Sequence, residues 1–357
     1  MTFDKKGRQA ERSQNLKLNR RSTFKLLWSS FLILTLLVLS ACGQNSNNTA
    51  KIVEGKVNVV TTFYPVYAFT TAIGGEDANV INLLPTGVEP HDWTPKSQDI
   101  VNTSKAQLFL YNGAGLEGWV PNFLKSLNSD SKVKSVAVSE GIELLTAEGD
   151  DGHGHGHEHG EEHGDEHVDD HADESGHEEQ VADHHIDPHT WVSPKSAMIM
   201  AENIKNSLVE VDPAHQAGYE QRYEELRTKL EALDQRFTDE LASVPNKEIV
   251  VSHQAFGYLA RDYGLKQHAI MGLSPDAEPT GQDIVKLAKL VKDEGIKYIF
   301  FEELVSDKLA KTLASEAGVE TMVLNPVEGL TQEQVNNKDD YFTLMEKNLQ
   351  NLLIALK

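Results

Sequence analysis

Two short stretches carry the same residue types in the same order. "EPHDWTP" (89–95) and "DPHTWVSP" (187–194) each read acid, Pro, His, any residue, Trp, then Pro within three residues. Proline restricts the backbone around each histidine, which favours a fixed imidazole over a mobile one. Imidazole is the commonest protein ligand for zinc and related metals, so His91 and His189 are candidate ligands. His253 stands directly after the apolar stretch "EIVVS", and "LNPVE" puts Glu328 in the equivalent place after another apolar stretch. Three neutral imidazoles and one carboxylate make a tetrahedral N3O shell that suits Zn²⁺ and leaves no position for water.

Taken singly, each residue has a plainer reading, because a histidine before a helix is commonly a cap or a satisfied polar side chain. Their joint placement after apolar stretches asks for a common explanation. The fourth position is open to Glu302 or a water as well as to Glu328. Glu302 and Glu303 end "KYIFFEE", where one of them can support the site from behind or both can be solvated. His215 and His268 read as structural. Trp93 and Trp191 read as core, with shielding of the site from water as the alternative.

The most conspicuous histidines are elsewhere, in "GHGHGHEHGEEHGDEH" (152–167). Ten of the fifteen histidines lie between His153 and His185, and residues 148–186 contain no Lys or Arg. Alternating glycines give these imidazoles no fixed geometry, so a metal held there must first order a flexible loop. With almost nothing to bury, 148–186 reads as a disordered insertion offering weak, exchanging sites: a collector or sensor beside the primary one.

The elements that must position the candidates follow from the apolar pattern. "VNVVTTF", "ANVINLL", "LFLYN" and "VKSVAV" read as strands separated by helices, and the grammar returns in "EIVVS", "QHAIMGL", "KYIFFEE" and "VETMVLN". Strands alternating with helices imply α/β lobes with parallel sheets covered on both faces. In open sheets of this kind ligands gather at the carboxyl ends of strands, where His253 and Glu328 fall. Between the two runs, Tyr219, Tyr223, Leu226, Leu230, Leu233, Phe237 and Leu241 recur at intervals of three and four, a helical stripe beginning near Asp212-Pro213. The expected organisation is an N-terminal lobe at 56–210 carrying the insertion, a linking helix at 211–244 and a C-terminal lobe at 245–357, each lobe with its own core. One long helix is a stiff connection, so large domain closure is not expected. The last helix, about 338–356, packs on a lobe.

The first residues have a different character. Eight basic residues precede "LLWSSFLILTLLVL" and then "SAC", which reads as a signal peptide over 1–41. Leu39-Ser40-Ala41-Cys42 has the lipobox pattern, in which Cys42 becomes the lipidated first residue and 42–55 a polar tether. The basic stretch is longer than such a signal requires. Cys42 is the only cysteine, so a metal site elsewhere is built from nitrogen and oxygen. Loss of the leader's eight basic and two acidic residues takes the formal charge from −22 to −28. That balance argues against nucleic acid and anionic lipid surfaces and is compatible with attracting cations.

Together the lipobox, the two Pro-His-x-Trp motifs, "SHQAFGYLARDYGL", "NPVEGL" and the long helix resemble the zinc-uptake solute-binding lipoproteins of bacterial ABC transporters, the ZnuA/AdcA type of the cluster A-I metal-binding proteins. The resemblance runs from about residue 56 to the end. It implies two lobes joined by a rigid helix, with one metal held between them and handed to a membrane permease. The ligand histidines would be His91, His189 and His253, and the carboxylate Glu328. Manganese-binding relatives carry a carboxylate in the place of His253, and the exchange points to zinc.

The expected function is therefore capture of Zn²⁺ outside the cytoplasm by a monomeric protein, lipid-anchored to the outer face of the membrane through Cys42, and delivery to an ABC permease. The alternatives are binding of manganese or another divalent metal, or a surface adhesin or metal-buffering lipoprotein in which the His-rich run is the working part. A metalloenzyme would need an open coordination position and a general base, and the sequence contains no His-Glu-x-x-His or similar pairing. Histidine ligation implies an affinity that falls below about pH 6.5, the unperturbed imidazole value.

Overall fold

The computed structural model describes residues 52–146, 186–276 and 279–357. The expected leader, Cys42, most of the tether and the His-rich insertion lie outside the described residues.

All eight expected strands form. β1 (Val57–Thr61), β2 (Ala78–Asn82), β3 (Leu108–Tyr111) and β4 (Lys134–Ala137) pair in the order β2-β1-β3-β4. β5 (Glu248–Val251), β6 (Lys266–Ala269), β7 (Tyr298–Phe301) and β8 (Glu320–Val323) repeat that order as β6-β5-β7-β8. Every pairing is parallel. Each parallel step needs a crossover, and the chain supplies it with α1 (Tyr64–Gly74), α2 (Ser97–Thr103) and α3 (Val120–Lys125) in the first half and α6 (Gly257–Tyr263), α7 (Gly281–Asp293) and α8 (Lys308–Ala317) in the second.

Between the sheets run α4 (Pro194–Val211) and α5 (Gln216–Ala242), joined through the 3₁₀ turn Pro213–His215. The seven residues of the sequence stripe are the seven that α5 buries. At 1.5 Å per residue its 27 residues extend about 40 Å. Sequence reasoning did not single out α4, although Ala197, Met200, Ala201, Ile204 and Leu208 form its buried stripe and Ser193 caps it by accepting the Lys195 N–H at 3.3 Å. The short α9 (Gln332–Asn337) was also not anticipated; α10 (Tyr341–Ala355) ends the chain. His215 and His268 are structural, their ring nitrogens 2.6 Å from Asp212 and 2.5 Å from Glu248.

The arrangement of the cores departs from the expectation of one per lobe. Successive strand residues face opposite sides, so each sheet has two apolar faces. Val59, Leu108 and Leu110 of the first sheet and Ile249, Val251 and Phe300 of the second join one continuous cluster with α1, α4, α5 and α10. Their neighbours in the strands go outward. Val60 and Phe109 enter a separate cluster on the far side of the first sheet, and Val250 and Ile299 enter another on the far side of the second. The lobes therefore share their largest core. The last helix does more than pack on one lobe: Tyr341 meets Phe69 of α1 edge-on at a ring-centroid distance of 4.9 Å and donates its hydroxyl hydrogen to the Trp191 carbonyl at 2.7 Å.

A shared core should unfold as a unit. All three described tryptophans, Trp93, Trp119 and Trp191, lie in the first half, whereas helical circular dichroism reports both. Denaturant curves from the two signals are expected to coincide, and Leu230→Ala, which opens a cavity at a fully buried position of α5, to shift both together with a loss of about 2–5 kcal/mol.

Candidate metal centre

The strand order reverses beside β1 in one sheet and beside β5 in the other, which places a crevice at the carboxyl ends of these strands. His253 leaves β5 directly into it. Glu302, the residue after the neighbouring β7, accepts from the His253 backbone N–H at 3.2 Å and lies 2.7 Å from its ring Nδ1. A carboxylate only accepts, so Nδ1 carries the hydrogen and Nε2 points away from Glu302.

His189 is held in the same way. Asp187 Oδ1 accepts both its backbone N–H at 2.9 Å and its Nδ1–H at 2.8 Å. Pro188 and Thr190 on either side are tied to Asn112, at the end of β3: Asn112 Nδ2 donates to the Pro188 carbonyl at 2.8 Å and Asn112 Oδ1 accepts from the Thr190 hydroxyl at 3.0 Å. Asn112 is itself fixed by the buried Glu117, whose Oε1 accepts its N–H at 2.7 Å and the Thr62 hydroxyl at 2.6 Å. Burial pushes the Glu117 carboxyl up to about 6 even though these donors favour its charged form. Gly257, opening α6, lets the Asp187 carboxylate come this close, since a Cβ there would lie 2.3 Å from Asp187 Oδ2. His91 sits in the loop after β2, where Glu89 accepts its backbone N–H at 2.9 Å. In both Pro-His motifs, then, the acid two residues earlier fixes the histidine backbone. That acid was visible in the sequence, but its role was not read.

Glu328 lies in the loop after β8 and closes the site. Its Oε1 faces Nε2 of His189 at 3.3 Å and of His91 and His253 at 3.6 Å, and makes no hydrogen bond within the protein. Nε2 of His189 is 3.1 Å from that of His91 and 3.2 Å from that of His253. A tetrahedral ion with bonds of about 2.0–2.1 Å has ligand–ligand edges of about 3.3 Å. These five separations bracket that edge and all four donor atoms lie within 4.8 Å of one another, so His91, His189, His253 and Glu328 could hold a metal ion between them. Glu302 is behind His253, turned from the Nε2 atoms, and Glu303 bonds instead to Asn325 and Gln334. The two motif tryptophans separate: Trp191 is fully buried beside His189, with ring centroids 5.4 Å apart, whereas Trp93 packs edge-on against Trp119.

Protons and a dication compete for the same atoms. Burial alone would push the His253 and His189 rings down and the Glu328 carboxyl up. Glu302 and Glu328 instead raise His253 to about 10, Asp187 and Glu328 raise His189, and the three imidazoles facing its Oε1 hold Glu328 well below the usual carboxylate range. A metal must displace the histidine protons, so falling pH opposes binding. Because Glu302 and Glu328 raise His253 to about 10 from near 6.5, competition extends through the neutral range. Apparent metal affinity should rise about tenfold per pH unit from pH 6 to 9, with at least one proton released per ion. Calorimetry in buffers of differing ionisation enthalpy measures this; a plateau above pH 6.5 would contradict it.

Comparison with known proteins places this geometry. The family described as zinc-uptake complex component A, periplasmic (ZnuA), matches residues 59–355. The zinc-binding protein AdcA of Streptococcus pyogenes serotype M3 is 42% identical over 324 residues, covering 91% of this chain and 61% of that protein. The chain thus spans about three fifths of the length of that relative. The high-affinity zinc uptake system protein ZnuA of Bacillus subtilis strain 168 is 40% identical over 337 residues, covering 92% of this chain and 98% of that protein. Among solved structures, the Zn(II)-bound ZnuA-like domain of Streptococcus pneumoniae AdcA superposes with a TM-score of 0.67 at 38% identity, over 85% of this chain and 99% of that one. The family match runs through both sheets and across all four residues of the cluster, and the chain accordingly belongs to the ZnuA family of zinc-uptake components.

Proposed function

We propose that this protein captures Zn²⁺ outside the cytoplasm and delivers it to an ABC permease, using His91, His189 and His253 through Nε2 and Glu328 through Oε1. The observation that carries this reading is the convergence of those atoms, with His189 Nε2 3.1 and 3.2 Å from those of His91 and His253 and all three 3.3 to 3.6 Å from an unsatisfied buried carboxylate oxygen. Three borderline nitrogen donors and one oxygen favour zinc over manganese, which prefers harder oxygen sites. Zinc relatives at 40–42% identity point the same way. The shell has no open position and no spare base aimed at a bound substrate, so the protein acts by binding and not by catalysis.

The remaining organisation belongs to the same proposal. Residues 1–41 are a leader, Cys42 is lipidated and 42–55 tethers the body to the outer face of the membrane. The body comprises lobes 56–210 and 245–357 about the linking segment 211–244, works as a monomer, and carries 148–186 as a low-affinity collector.

Removing one imidazole leaves three donors around an ion that needs four. His253→Ala is expected to weaken zinc binding at least about a hundredfold while the protein still folds, measured by competition with a chromophoric chelator. Unchanged affinity would remove His253 from the site. For the anchor, Cys42→Ala should move the chain from the membrane fraction to the soluble fraction of cells expressing it, with zinc affinity unaltered; retention in the membrane would show a different attachment.

A further inference from the structure

Glu328 reaches the imidazoles from a loop whose backbone is strained. Val327, immediately before it, is fully buried and has φ of 60°. In this left-handed region a β-branched side chain crowds the backbone, and such a residue stays there only when its surroundings over-determine it. The surroundings can be named. Asn325 Oδ1 accepts the Val327 N–H at 2.6 Å. Asn325 is held on both sides of its own backbone by Asn348 of α10, whose Oδ1 accepts the Asn325 N–H at 2.8 Å and whose Nδ2 donates to the Asn325 carbonyl at 2.6 Å. The Asn325 Nδ2 donates to Glu303 at 2.7 Å, and Gln334 Nε2 donates to the same carboxylate oxygen at 2.6 Å. Between Asn325 and Val327, the Pro326 carbonyl accepts from Trp191 Nε1 at 2.7 Å.

We propose that Asn325, locked by Asn348 and Glu303, is a positioning residue for metal binding: it forces Val327 into the left-handed conformation and thereby aims the Glu328 carboxylate at the three Nε2 atoms. None of these polar groups faces the metal position itself. Their hydrogen bonds end on the backbone that carries Glu328, so their effect on the ion passes through that carboxylate. Without the bond from Asn325 the Val327 N–H loses its acceptor, the valine relaxes toward negative φ, and the oxygen donor swings out of the shell. Trp191 adds a link to the other lobe, because the indole that braces Pro326 belongs to the segment carrying His189.

This inference rests on the zinc-binding reading above, and the test separates the two. Zinc affinity of the full chain is measured by chelator competition for the parent, Asn325→Ala, Glu328→Ala and the double variant, with thermal melting of the metal-free forms as a check on folding. Asn325→Ser and Asn348→Ala are carried alongside, so that the question is still answered if the alanine at 325 does not fold. The expected result is a loss of about ten- to a hundredfold for Asn325→Ala, and no further loss when it is added to Glu328→Ala. A general loosening of the fold would lower affinity by the same factor in both backgrounds, and that result overturns the proposal. Affinity within threefold of the parent for every folded variant at 325 and 348 also overturns it, leaving the zinc reading intact. A parent chain that binds no zinc overturns both.

Discussion

The cluster of like groups at one buried point governs the rest of the structure. His189 Nε2 lies near 3 Å from those of His91 and His253, and one carboxylate oxygen beside them is left unsatisfied, an arrangement unfavourable in a protein interior unless a cation joins it. Such groups stay together without the ion only if each is restrained from behind. Asp187 restrains His189, Glu302 restrains His253 and Glu89 restrains the His91 backbone. Asp187 and Glu302 are carboxylates, so they also raise the His189 and His253 rings toward their protonated forms. The same contacts that aim the ligands therefore make protons the competitor of the metal.

The shared core sets how the protein can move. In a two-lobed binding protein with separate cores, the lobes can part about a few flexible strands and expose the cargo. Here the inner faces of both sheets and the helices between them form one apolar cluster, and parting the lobes would expose it to water. Tyr341, Trp191 and Tyr258 add hydrogen bonds from one half of the chain to the backbone of the other.

Much of this was legible in the chain. The eight strands, their alternation with helices, the stripe of α5 and the three histidines follow from local pattern, because period and proline placement are local properties. The stripe of α4 is equally regular, but its start at Ser193-Pro194 coincides with the end of the second Pro-His motif, which masks the helix cap. Glu302 and Glu303 could not be ranked from sequence, for adjacent residues at a strand end point to opposite sides and only the position of β5 beside β7 decides which meets His253. Asn112, Asn325 and Asn348 were invisible for the same reason, as their partners are distant in the chain.

Local pattern specifies the candidate donors and the scaffold type: imidazoles and carboxylates after apolar stretches or within Pro-His motifs, and two parallel sheets joined by a long helix. Tertiary structure decided which carboxylate faces the imidazoles, which acids stand behind them, and that the two lobes share a core. The division has a physical cause. Backbone periodicity and ligand chemistry are written in neighbouring residues, whereas orientation, burial and proton affinity arise only when segments a hundred residues apart are packed against one another.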